Sequence, residues 1–98
     1  MKAQIFQEVL SAVVDETEIT REQMLSGIKT EEVVDARSLL IKVMNERGLY
    51  PTQISQMTGI CSRSVDRFLQ DFDERIQTRK MLRINYDRVR NILGMTQD

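Results

Sequence analysis

Apolar residues along this chain recur at intervals of three and four, the spacing that gives a helix one buried face. Ile5, Phe6, Val9, Leu10 and Val13 fall on one such stripe. Thr20 followed by Gln23 has the pattern of a capping box and predicts a short helix that buries Met24 and Leu25 and stops at Gly27. Thr30 is the expected cap of a third helix, roughly residues 31–46, with Glu31 and Glu32 in its first turn, where the helix dipole favours carboxylates. That helix is apolar on most sides, through Val33, Val34, Ala36, Leu39, Leu40, Ile41, Val43 and Met44. It should run through the centre with neighbours on several faces.

Arg47-Gly48 ends the third helix, and Pro51 suits the first position of a fourth, where a missing N–H costs nothing. Ile54 and Met57 turn inward from it and Gly59 closes it. A fifth helix from about Ser62 buries Val65, Phe68, Leu69 and Phe72. The segment DFDERIQTRKMLR, 71–83, runs from acidic to basic and reads as a solvated helix end and loop. Asn85 then caps a last helix with Tyr86, Val89, Ile92 and Leu93 on one face, ended by Gly94. That face suits a core cover or a dimer seam, so monomer and homodimer both stand. Strand signals are absent: no period-two alternation and no Asn-Gly or Asp-Gly turn between apolar runs. The expected fold class is all-α, a compact bundle of about six short helices in one domain over residues 1–94, with 95–98 as a frayed tail.

The stretch ISQMTGICSRSV carries the first hint of function. A helix-turn-helix needs a steep crossing through a three- or four-residue turn, and the turn favours Gly for its backbone freedom. Its first helix presents a branched apolar residue beside a small one, and its second returns an apolar residue into the angle. Ile54, Ser55, Gly59, Ile60 and Val65 match those places; an ordinary helix, Gly stop and helix is the plainer reading. The second helix would then open with Ser62, Arg63, Ser64, Asp66 and Arg67, two arginines and two hydroxyls suited to phosphates and base edges. Asp66 either meets a cytosine amino group or forms an i,i+3 pair with Arg63, and the pair is the favoured reading.

Charge sharpens this. The net charge is −1, but residues 1–36 hold three basic and eight acidic groups, a net of −5, and residues 37–98 eleven and seven, a net of +4. A surface for a polyanion belongs to the C-terminal part. No apolar run approaches the ~20 residues of a membrane span, and Gln7 and Glu8 interrupt what would be a signal peptide's apolar stretch. The cytoplasm is the expected location. With no His and one Cys, neither a metal site nor a cofactor or catalytic constellation is expected, and the chain does not read as an enzyme. Cys61 is read as a small residue standing where Ser usually caps, with a redox switch as the alternative. Arg79, Lys80 and Arg83, and Lys42 on the third helix, are secondary candidates for phosphate contact.

The order of IFQEVLSAVV, REQMLSG, VVDARSLLIKVMNE and YPTQISQMTG resembles the C-terminal DNA-binding domain of the bacterial replication initiator DnaA, in the Trp-repressor-like group of helix-turn-helix folds. The likeness runs over residues 5–93. It implies that Arg37, in the Ala-Arg pair of the long helix, reaches into a minor groove. It further implies that the start of the next helix, Pro51, Thr52 and Gln53, lies against the backbone. Ser62, Arg63 and Ser64 would form the recognition turn. Cys-Ser-Arg-Ser stands where the family has Asp-His-Thr-Thr, and the basic loop before the long helix is here GIKTEEV, so a site other than the initiator's is expected. No Walker A loop is present. Double-stranded DNA is the expected partner, with a protein-interaction module that kept the fold as the alternative.

Overall fold

The computed structural model describes residues 1–95, and all of its regular structure is helical. Six helices follow one another: α1 (Lys2–Thr17), α2 (Arg21–Leu25), α3 (Glu31–Glu46), α4 (Pro51–Thr58), α5 (Ser62–Thr78) and α6 (Lys80–Ile92). The all-α class and the number of elements match the sequence pattern. α3 touches every other helix, as its all-round apolar surface requires. Leu39, Leu40, Ile41, Val43 and Met44 are fully buried.

Local signals set most of the helix ends. At α2 the Gln23 N–H donates to Thr20 Oγ1 (3.1 Å) while the Thr20 N–H donates to Gln23 Oε1 (2.8 Å), a complete capping box. α2 stops at Ser26 rather than at Gly27: Ser26 has extended backbone, and its hydroxyl donates back to the Gln23 carbonyl. Thr30 stands at the start of α3 but its hydroxyl makes no capping bond. At the other end, Gly48 adopts φ +101°, which lets its N–H reach the Asn45 carbonyl and the Leu49 N–H reach that of Met44. This closure drives Leu49, whose sequence pattern gave no warning, into the core.

The main departure lies in residues 71–83, expected as a solvated helix end and loop. α5 continues to Thr78, α6 begins at Lys80, and Arg79 alone breaks the helix, at φ −120° and ψ 92°. Neither Gly nor Pro marks the bend. The Arg79 guanidinium is held by Asp35 and by Glu31 (3.1 Å), both on α3, and Arg75 also reaches Asp35 (3.5 Å). The redirected chain lays Leu82, Tyr86 and Val89 into the core, where Tyr86 meets Phe72 edge to face at 4.9 Å. Asn85 is therefore interior to α6 and caps nothing, and Ile92 points away from the core, 57% exposed. The Met95 N–H donates to the Arg90 carbonyl at 2.7 Å, so Met95 belongs to the helix closure and not to a frayed tail; the remainder of that tail lies outside the described residues.

Candidate nucleic-acid interface

α4 and α5 are joined by three residues, Gly59 to Cys61. Gly59 sits at φ 78° and ψ 2°, and its N–H donates to the Ser55 carbonyl at 2.9 Å. That left-handed conformation is strained for any residue with a Cβ, which is why the turn needs Gly. Thr58 reinforces it, donating to the Ile54 carbonyl (2.7 Å) and accepting from the Ile60 N–H (3.2 Å). Ile54 and Val65 are both fully buried, and Ser55 and Ile60 are half-buried.

Because Val65 faces inward, the first turns of α5 present Ser62, Arg63, Asp66 and Arg67 to solvent. Ser64 is half-buried, and the Cys61 thiol donates to its hydroxyl at 3.2 Å. Once ionised, the sulfur would accept from the Ser64 hydroxyl, then from the Ser64 and Arg63 backbone, and this lowers the pKa of the exposed thiol. Among the described residues neither Arg63 nor Arg67 has a carboxylate at ion-pair distance, so the favoured Arg63–Asp66 pair does not form. The reason is directional: an acidic residue N-terminal to the basic one suits the helix dipole, and here the order is reversed.

On α4, Pro51 occupies the first position and is half-buried, and Thr52 is exposed. The Gln53 Oε1 accepts the Tyr50 N–H at 2.8 Å, closing the helix start. Sequence reasoning missed Tyr50, which is 70% exposed immediately before Pro51. Its signal was an aromatic residue outside any apolar stripe.

Arg37 does not belong to this surface. It is only 7% exposed, and its Nε–H donates to the Met24 carbonyl at 2.6 Å. Its second amino group donates to the carbonyls of Ser26 and Ile28, each at 2.9 Å, with Gln23 at 3.5 Å. Burial lowers its pKa. The side chain serves the carbonyls left over at the end of α2, which corrects the minor-groove role inferred from the resemblance. Lys42 is likewise drawn inward, its Nζ 5.6 Å from the centre of the Phe72 ring.

Of the acidic loop, Glu31 pairs with Arg79 at the C-terminal end of α5, the end opposite Ser62. No cluster of metal-ligating side chains occurs among the described residues, and no described helix is long and apolar enough to cross a membrane. Comparison with protein families, with characterised proteins and with solved structures gave no match.

Proposed function

We propose that this chain binds double-stranded DNA through α4 and the opening turns of α5, as a small helix-turn-helix regulator or replication accessory. The observation that carries the reading is the exposed Ser62, Arg63 and Arg67 at the start of a helix whose inner side is anchored by Val65 behind a Gly59 turn. Arginine forks at such a helix start match guanine edges and phosphates. Thr52 and Tyr50 at the start of α4 supply polar contacts for the flanking backbone. Asp66, between the two arginines, suits a cytosine amino group, which would make it a selective element.

The likeness to the initiator's DNA-binding domain supports this proposal through the order of its elements. With Arg37 engaged internally, the interface holds fewer cations than that likeness implied. Binding should therefore be weak on arbitrary sequences, with a dissociation constant of ~10⁻⁴ M or higher at physiological salt. Selection from random duplexes at low salt tests the reading: a recurrent site of several base pairs is the expected result. If no sequence is enriched and no duplex binds, the chain is the interaction module instead.

A further inference from the structure

From Ile60 to Leu93 the chain has no Gly and no Pro, yet the helix breaks once within that stretch, at Arg79. Arginine is itself a good helix former, so nothing local ends α5 there. The break also leaves α6 with a poor start. Its N-cap is Arg79, whose side chain makes no capping bond, and its first turn has no carboxylate. Lys80 opens it instead, against the positive end of the helix dipole. Among the described residues the N–H groups of Lys80, Met81 and Leu82 have no acceptor. In a continuous helix the carbonyls of Ile76, Gln77 and Thr78 would take them.

What holds the bend is tertiary. The Arg79 guanidinium is gripped by Asp35 and Glu31 of α3, and the inner face of α6 packs on α1, α3 and α5. The apolar residues of α5 and α6 are placed symmetrically about the bend. Ile76, Phe72 and Leu69 precede Arg79 by three, seven and ten residues, and Leu82, Tyr86 and Val89 follow it at the same intervals. Phe72 meets Tyr86 across the bend at 4.9 Å. Contacts symmetric about a hinge can be made equally well between two copies. With the hinge straight, Phe72 of each chain meets Tyr86 of the other around a two-fold axis.

We propose that Arg79 is a hinge that straightens, so that α5 and α6 become one helix over residues 62–92 and two copies of this chain exchange α6. Leu82, Tyr86 and Val89 then fill in the partner the places they leave in their own core. Only the hinge is new. Each chain gains the three missing backbone hydrogen bonds and an unbroken helix dipole, and gives up the grip of Asp35 and Glu31 on Arg79. The inference is independent of the DNA reading. The exchanged dimer carries the α4–α5 surface twice, so the hinge sets whether the molecule presents one such surface or two.

The test refolds the full chain from urea at millimolar and at micromolar concentration, with sedimentation velocity measuring the dimer. The higher concentration should yield a dimer that dissociates slowly on dilution, because α6 must leave one core to return to the other. Its ¹⁵N–¹H amide spectrum should match that of the monomer except near residues 76–83. Arg79→Ala and Arg79→Gly remove the same grip but differ in helix propensity, so Arg79→Ala should dimerise about tenfold or more tightly than Arg79→Gly. A Gly-Ser-Gly-Ser insertion after Arg79, in the otherwise unchanged chain, should abolish the dimer and leave a folded monomer by circular dichroism. No dimer from any of these chains, equal dimerisation of the Ala and Gly variants, or a dimer that survives the insertion would each overturn the proposal.

Discussion

Arg37 Nε–H donates to the carbonyl of Met24 across thirteen residues of chain, and its second amino group gathers the carbonyls of Ser26 and Ile28. One side chain thus closes α2 and fixes the loop that leads into α3. No carboxylate takes part in these bonds; the partners are the negative ends of peptide dipoles.

Arg37→Met should accordingly destabilise the fold, because the buried Met24 carbonyl and the part-buried carbonyls of Ser26 and Ile28 would lose their donor together. The expected loss is about 2–4 kcal/mol in urea denaturation. Arg37→Lys should recover only part of it, since an ammonium cannot reproduce the planar fork. Affinity for DNA per folded molecule should change little in either variant, and a selective loss of DNA binding without loss of stability would restore the minor-groove role.

Gly59 isolates backbone strain from crowding. A Cβ there would meet nothing within 4 Å, yet φ is +78°. Gly59→Ala should cost about 1–2 kcal/mol through the left-handed backbone alone, with Gly59→Asn milder. Thermal melts of the two variants measure the difference. Equal stability of Ala and Gly at this position would mean that the turn relaxes to another conformation.

The salt dependence of DNA binding counts the phosphates engaged. With Arg63, Arg67 and at most one further cation in contact, log K should fall against log salt with a slope of about −1.8 to −2.7. Arg63→Ala should also relax base preference at one or two positions, at about 1–3 kcal/mol for a guanine contact. Lys80→Ala, by contrast, should weaken all sequences alike or none. Titrating the selected site and its single-base variants separates these outcomes.

Tyr86 gives the fold an alkaline sensitivity. Burial and then the hydrogen bond it donates to Glu46 push its phenol pKa above the ordinary value near 10. A group whose pKa is raised on folding contributes stability that is complete below its unfolded pKa and is lost as pH rises beyond it. Stability should therefore decline above about pH 10. Tyr86→Phe should lose roughly 1–2 kcal/mol at pH 7 and show a flatter decline. Melts of both proteins between pH 7 and 11 provide the check, and parallel curves would refute the assignment.

Periodicity and local caps were enough to write down the all-α class, the span of α3, the Thr20–Gln23 box and the burial of Ile54 and Val65. Those features depend on neighbours within a turn or two, so the chain carries them in its order alone. The long-range bonds were not legible. Arg37 finds carbonyls nine to fourteen residues back. Arg79 breaks the helix where Asp35 and Glu31 hold it, 44 and 48 positions away, though no Gly or Pro announces a bend. A charged side chain looks the same in sequence whether it reaches for solvent, for a phosphate or for a backbone carbonyl. Packing decides which, because only the assembled helices determine which polar groups remain without partners. The arginines at the start of α5 stay outward for that reason, and Arg37 does not.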